Sequence, residues 1–336
     1  MTLALILGCA GPVLSPEEAA FFRDVQPWGF ILFKRNVETP EQVRALTAAL
    51  RETVGRADAP VLIDQEGGRV QRMTRPHWQA YPSGRAYFRA GGREGGPALA
   101  GLGARLMAYD LAQVGINVDC APVLDVPVPG AHDVIGDRAY GTEPGVVAAF
   151  GRAVAEGLMA GGVLPVMKHV PGHGRAGADS HHALPVVEAS LAELEAHDFQ
   201  PFRALADLPM AMSAHVVFRA LDPGNPATTS ATVIREIVRG RIGFDGLLMT
   251  DDLSMKALSA SFRERTAAAF RAGCDVGLHC NGVRVEMEEV VAGAPALAGE
   301  SLRRAEAALA RLSPVPAAFD PAEARARLDA GLAAAA

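Results

Sequence analysis

The sequence lacks several features that mark specialised protein classes. Its 336 residues include four cysteines, none of them in a Cys-Xaa-Xaa-Cys pair, which argues against a zinc ribbon or a disulfide framework. It has no run of lysine and arginine, and its net charge is −6, which disfavours nucleic-acid binding. No segment approaches the ~18 to 20 apolar residues that span a bilayer. We therefore expect a cytoplasmic protein that binds neither nucleic acid nor membrane.

The first residues allow two interpretations. Residues 3–9 read Leu-Ala-Leu-Ile-Leu-Gly-Cys, which resembles a bacterial lipoprotein cleavage site. No lysine or arginine precedes the apolar run, however, and the run is short for the apolar part of a signal peptide. We therefore interpret this segment as a buried first strand.

The rest of the chain alternates short apolar runs with amphipathic helical stretches. This alternation predicts parallel strands joined by crossover helices. No Gly-Xaa-Gly-Xaa-Xaa-Gly turn follows the first strand, so we expect one (β/α)8 TIM-type barrel over about 1–282, with C-terminal packing helices over about 283–336. A monomer is the expected state. The predicted strands are 3–7, 29–33, 60–64, 117–121, 164–168, 210–214, 246–251 and 275–278, and the predicted helices are 16–25, 40–54, 98–114, 144–161, 190–206, 230–240 and 262–272.

Ionisable residues collect at the ends of three predicted strands. In a barrel of this kind the chemistry lies at the carboxyl ends of the strands. Asp251 is the first carboxylate after an apolar strand, and we expect it to be functional. Asp252 we expect to be structural, as the N-cap of a short helix. Lys168 also ends an apolar strand and is one of only three lysines, so we expect it to bind a hydroxyl or a carboxylate.

Residues 168–182 contain four of the nine histidines. One interpretation is a transition-metal site, but the spacing fits no rigid ligand pattern and the segment is rich in glycine. The other is a loop in which Asp179 orients His181 for proton transfer. We favour the second interpretation.

Five motifs in one order resemble glycoside hydrolase family 3, and in particular the bacterial β-N-acetylhexosaminidases of peptidoglycan recycling. The resemblance extends from about residue 5 to residue 280. It departs at Val170, where a phenylalanine is frequent in the family. The motifs are Asp-Gln-Glu-Gly-Gly-Arg-Val-Gln-Arg (64–72), Val-Ile-Gly-Asp-Arg (134–138), Lys-His-Val-Pro-Gly-His-Gly (168–174), Asp-Ser-His (179–181) and Gly-Leu-Leu-Met-Thr-Asp-Asp-Leu-Ser-Met (246–255).

The resemblance implies a role for individual residues. Asp251 is similar to the family nucleophile, and His181 resembles the general acid and base, with Asp179 as its partner. Larger relatives supply a glutamate for that second role from another domain. The residues similar to the sugar-binding pocket of the family are Asp64, Arg72, Arg138, Lys168 and His169.

The reaction implied is the removal of terminal β-linked N-acetylglucosamine from 1,6-anhydro-N-acetylmuramic acid, with or without its peptide. Such a reaction is expected to need no metal and no cofactor. A phosphorylase on the same fold remains open, because a histidine acid does not repel an incoming phosphate. A β-glucosidase or β-xylosidase and a non-catalytic sugar-binding protein are less consistent with the motifs.

Overall fold

The structure is a computed structural model that describes residues 1–178, 180, 184–313 and 319–334. At its centre eight parallel strands form a closed barrel, so the predicted (β/α)8 TIM-type fold is confirmed. All eight barrel strands overlap predicted ones. They are β1 (Leu3–Gly8), β2 (Pro27–Leu32), β3 (Val61–Ile63), β4 (Val118–Asp119), β5 (Leu164–Val170), β6 (Met210–Ser213), β7 (Leu247–Asp252) and β8 (Val276–His279).

The strands follow one another around the barrel in chain order. Each pairs with its neighbours in sequence, and β1 closes the ring by pairing with β8, with Leu5 opposite Gly277. Successive side chains point to opposite faces of a strand. Ile6 belongs to an apolar cluster inside the barrel, whereas Leu5 and Leu7 belong to the cluster between strands and helices. Because both faces are covered, the strands are apolar along their length.

The amino-terminal end of the barrel is covered by the chain that follows β8. The Ala4 amide donates to the Pro295 carbonyl, and the Leu297 amide donates to the Thr2 carbonyl. Leu297 and Ala305 then pack into the apolar cluster inside the barrel. A ligand can therefore enter the barrel from the carboxyl ends of the strands.

Local sequence signals set the ends of several helices. The Ser15 hydroxyl accepts from the Glu18 amide at the start of α1, and Thr39 caps α2 in the same way. Within the described ranges, no helix is both long and apolar enough to cross a membrane. The helices are α1 (Pro16–Val25), α2 (Pro40–Val54), α3 (Gly84–Gln113), α4 (Pro144–Ala160), α5 (Leu191–Ala196), α6 (Phe199–Ala204), the π-helix α7 (Val233–Arg241), α8 (Phe262–Ala272), α9 (Arg284–Gly293), α10 (Gly299–Leu309) and α11 (Pro321–Ala333).

Two predicted helices differ from the observed ones. The helix predicted over 98–114 is the second half of α3, which begins at Gly84 and is interrupted at Gly92, where φ is +60°. Residues 91–96 read Gly-Gly-Arg-Glu-Gly-Gly and carry no apolar period, so the sequence pattern misses the first half. The helix predicted over 190–206 is divided between α5 and α6.

Candidate active site

A cavity of about 260 Å³ lies at the carboxyl end of the barrel. Its walls come from the ends of β2, β3, β5, β7 and β8 and from the loops that follow them. All six predicted site residues that the structure describes line this one cavity. They are Asp64, Arg72, Arg138, Lys168, His169 and Asp251.

Asp64 stands directly after β3 and is bound by two cations. Its Oδ2 accepts from the Arg72 guanidinium at 2.9 Å, and its Oδ1 accepts from Lys168 Nζ at 2.8 Å. Burial alone would raise the pKa of Asp64, but Lys168 and Arg72 hold it well below its usual range. Asp64 is therefore an ionised acceptor in a fixed orientation.

Glu66 extends this cluster, although the sequence analysis gave it no role. Both of its carboxylate oxygens accept from Arg138 at 2.8 Å, and Oε1 lies 2.6 Å from Lys168 Nζ. The Lys168 side chain is only 2% exposed. Burial would lower the pKa of Lys168, but Asp64 and Glu66 raise it, so the ammonium stays charged. A single buried cation thus joins two carboxylates that are two residues apart in sequence.

The backbone between these carboxylates is fixed by another acid that the sequence analysis missed. Asp119, at the end of β4, is fully buried, and its Oδ1 accepts from the Gln65 amide at 3.0 Å. Burial raises the pKa of Asp119 well above its usual value. The Gln65 side chain in turn accepts from the Arg72 and Met73 amides at 2.9 and 3.1 Å. The segment 64–73 is therefore folded back on itself beneath the cavity.

The charge on Glu66 is expected to make stability depend on acidity. Burial would raise the pKa of Glu66, but Arg138 and Lys168 lower it from 4.5 to about 2. Because the folded-state pKa is depressed, the contribution is full above about pH 4.5 and is lost as the pH falls towards 2, by about 3 kcal/mol in total. Urea unfolding at pH 7, 4.5 and 3 measures this loss. Glu66→Gln should lose stability less steeply over this interval; equal pH dependence in both proteins would contradict the assignment.

His169 lies near the end of β5, beside another buried acid. Its Nδ1 lies 2.7 Å from Asp125 Oδ2, while the same ring lines the cavity. Asp125 Oδ1 accepts from the His173 amide at 2.6 Å and from the His169 amide at 3.3 Å. Burial would raise the pKa of Asp125, but His169 and His173 lower it. Asp125 has no exposed surface and was not among the predicted site residues.

Asp251 lies at the end of β7 and lines the cavity, whereas Asp252 binds the neighbouring backbone. Asp251 Oδ1 accepts from the Asp252 amide at 2.8 Å. The Asp252 carboxylate accepts from the Ser254 amide, the Ser254 hydroxyl and the Cys280 amide at 2.9, 2.5 and 3.1 Å. Residues 253–258 form turns rather than the short helix we predicted, yet Asp252 binds backbone amides as a cap would.

Buried His215 supports the same strand end. Its Nε2 donates to the Asp252 carbonyl at 3.0 Å, and its Nδ1 lies 2.8 Å from the Thr228 hydroxyl. Burial lowers the pKa of His215, so the ring is neutral near pH 7. A neutral, fully buried ring here fixes the backbone after Asp251 without adding charge.

Asp179 and His181, the predicted proton-transfer pair, lie outside the described residues. Ser180 between them is described: it is buried, lines the cavity, and places its hydroxyl 3.1 Å from His173 Nε2. Burial and the nearby His169 lower the pKa of His173 to about 4, so this histidine is neutral near pH 7.

The cavity combines fixed charged donors and acceptors with the Asp251 carboxylate at the end of β7. Such an array suits a small polyhydroxylated molecule, whose hydroxyls both donate and accept hydrogen bonds. Over the described part of the chain, no three His, Cys, Asp or Glu side chains are grouped as a metal site. A carboxylate beside such donors and acceptors is suited to nucleophilic displacement at a bound sugar.

Comparisons with known proteins agree on one family. The profile described as "Glycosyl hydrolase family 3 N terminal domain" matches residues 13–313. The chain is 41% identical to a beta-hexosaminidase of Methylococcus capsulatus, covering 81% of this chain and 80% of that protein. It is 38% identical to a beta-hexosaminidase of Aromatoleum aromaticum, covering 94% and 89%. The crystal structure of NagZ from Neisseria gonorrhoeae in complex with N-trifluoroacetyl-D-glucosamine is similar, with a TM-score of 0.88 and 31% identity, covering 100% of this chain and 98% of that one.

Proposed function

The chain belongs to glycosyl hydrolase family 3, and from that premise we propose that it is a retaining exo-β-N-acetylglucosaminidase. It is a glycoside hydrolase of the β-hexosaminidase type. The observation that carries the finer proposal is the single cavity in which Asp251 shares the walls with the cluster of Asp64, Lys168 and Glu66. A nucleophilic carboxylate beside fixed sugar-binding charges is what this reaction requires.

The proposed reaction has two displacement steps. Asp251 attacks the anomeric carbon and forms a covalent glycosyl ester, while protonated His181 donates its proton to the departing oxygen. Water then attacks the anomeric carbon with neutral His181 as the base, the bond from that carbon to the Asp251 carboxylate breaks, and the sugar leaves with its β configuration retained. Asp179 orients His181. A histidine in this position avoids a second anion beside Asp251, which two carboxylates would create.

The glycone hydroxyls are proposed to bind the charged cluster. Asp64 accepts hydrogen bonds, while Arg72, Arg138 and Lys168 donate them, and His169 completes the pocket. These groups are already fixed by their mutual contacts at 2.6 to 2.9 Å, so little side-chain order has to be gained on binding.

The proposed substrate is N-acetylglucosamine β-linked to 1,6-anhydro-N-acetylmuramic acid, with or without its peptide, in the peptidoglycan recycling of the cytoplasm. Support comes from the family motifs and from the similarity to NagZ of Neisseria gonorrhoeae, whose crystal structure holds an N-acylated glucosamine. We propose a monomeric enzyme that uses no metal and no cofactor.

The decisive assay measures 4-nitrophenol release from its β-N-acetylglucosaminide and its β-glucoside, with and without added phosphate. Turnover of the acetamido sugar alone, independent of phosphate, supports the proposal. Strict dependence on phosphate would instead identify a phosphorylase. Release from the glucoside at a comparable rate would contradict the acetamido specificity.

Replacement of His181 by alanine is expected to slow substrates according to their leaving group. A nitrophenolate departs without protonation, so its glycoside should lose far less activity than the natural disaccharide, whose leaving alkoxide needs a proton. The loss of kcat/KM on the disaccharide should be at least about 10²-fold greater. His182→Ala is the matched control and should leave both rates near wild type. Equal losses on both substrates in His181→Ala would contradict its role as the acid.

A further inference from the structure

The turn that follows β5 is bound at both ends by Asp125. This carboxylate accepts from the His169 ring, the His169 amide and the His173 amide, and all three donors belong to residues 169–173. The loops also meet backbone to backbone: a Cβ on Gly174 would lie 2.2 Å from the Val126 carbonyl oxygen. The loop after β4 thus fixes the loop after β5, although Asp125 itself does not line the cavity.

From this geometry we propose that Asp125 is a positioning residue, which accepts a hydrogen bond from His169 Nδ1–H and so determines which nitrogen His169 offers to a bound sugar. An ionised carboxylate only accepts hydrogen bonds, so the His169 nitrogen that faces it must carry a proton. The opposite nitrogen, Nε2, is then the one that His169 presents to a molecule in the cavity. Which histidine nitrogen is protonated is set by the partner of the other nitrogen.

Two features of the described residues favour this role over simple packing. First, Asp125 is completely buried, and a buried carboxylate is costly unless donors surround it, as they do here. Second, the His169 and His173 rings meet edge to face with centroids 5.7 Å apart, so rotation of one ring would disturb the other. Loss of Asp125 would therefore change the orientation and proton position of His169. It would also disturb the ring of His173, the partner of Ser180.

Asp125→Asn is the informative substitution. Asparagine has the same shape, and its oxygen can still accept from the two backbone amides, so we expect the fold to persist. Its NH₂ group, however, donates to His169 Nδ1 and forces the ring proton to Nε2. We expect kcat/KM to fall by about 10- to 100-fold, as when other hydrogen-bond partners of functional histidines are removed.

The test combines nitrogen NMR of histidine-labelled full-length protein with kinetics. His169→Gln identifies the His169 signals by their disappearance. Near neutral pH, His169 Nδ1 should carry a proton in wild type, whereas in Asp125→Asn the ring proton should lie on Nε2. An unprotonated Nδ1 in wild type would overturn the proposal. This wild-type spectrum is a test even if no variant at position 125 folds.

A double-mutant cycle measures whether Asp125 acts through His169. If it does, Asp125→Asn combined with His169→Gln should be no more than about twofold slower than His169→Gln alone. If the losses in kcat/KM of the two single variants instead multiply in the double variant, Asp125 acts independently of His169 and the proposal is wrong. Asp24 is exposed and lies at the far end of the barrel, so Asp24→Asn is the matched control. It should leave the His169 NMR signals and kcat/KM unchanged. The kinetic arm rests on the proposed glycosidase function, whereas the NMR arm does not, so the two can fail separately.

Discussion

Asp251→Asn is expected to lower kcat/KM on aryl β-N-acetylglucosaminides by about 10⁴-fold or more, with the melting temperature close to that of wild type. The asparagine oxygen can still accept from the Asp252 amide, as Asp251 Oδ1 does, so the strand end keeps its hydrogen bond. What is lost is the anion that attacks the anomeric carbon. Steady-state kinetics and thermal unfolding of the same preparation measure the two effects.

Two comparison variants make this expectation specific. Asp252→Asn should reduce stability and activity together, because the Asp252 carboxylate holds Ser254 and Cys280. In Asp251→Gly, added azide should restore turnover from the face that the side chain has vacated and yield the α-glycosyl azide. Activity above about one hundredth of wild type in purified Asp251→Asn, or a β-glycosyl azide in the rescue, would contradict the assignment of Asp251 as the nucleophile.

Lys168→Met should be the most destabilising substitution in the site. It removes the cation between Asp64 and Glu66, so that each buried carboxylate keeps only its arginine partner, Arg72 or Arg138. Breaking one side of a buried ion pair typically costs about 3–5 kcal/mol, and we expect a loss of this size in the free energy of unfolding. Because Asp64 and Glu66 both line the cavity and each loses one of its fixed partners, kcat/KM should also fall by about 10³-fold. Urea unfolding and steady-state kinetics measure the two losses.

The other lysines and the carboxylates provide the controls. Lys256→Met, at an exposed position, should leave stability and activity near wild type. Adding Asp64→Asn and Glu66→Gln to Lys168→Met leaves Arg72 and Arg138 without their carboxylate partners, so no stability should return and activity should stay low. Recovery of stability in the triple variant would instead show that repulsion between the two carboxylates causes the destabilisation.

The positions of the strands could be predicted from sequence because each strand is an apolar run followed by a polar loop. The same pattern identified Lys168 and Asp251, since carboxyl ends of parallel strands meet on one face of a barrel. The resemblance to glycoside hydrolase family 3 assigned Asp64 and Lys168 to one pocket, although they are 104 residues apart in sequence. Their mutual salt bridge depends on side-chain geometry that no local pattern contains.

Glu66 and Asp125 escaped the sequence analysis although signals for them existed. Glu66 follows Asp64 by two residues, and in extended chain such residues share a face, so both could have been assigned to the cavity. Asp125 follows the apolar segment of β4, as Asp251 follows that of β7. Its importance comes from three hydrogen bonds to a segment 44 to 48 residues further along the chain, which the sequence alone does not reveal.

The pairing of β1 with β8 bears on how the protein is made. Leu5 lies opposite Gly277, so the first strand must wait for some 270 further residues to be synthesised before one of its two edges is covered. At ribosomal rates of about 5–20 residues per second this interval lasts roughly 15–55 s. During that time an apolar strand, Leu-Ala-Leu-Ile-Leu-Gly, presents unpaired backbone groups on which other nascent chains could aggregate. We therefore expect the yield of active enzyme to depend on chaperones and on the speed of translation more strongly than the stability of the finished barrel would suggest.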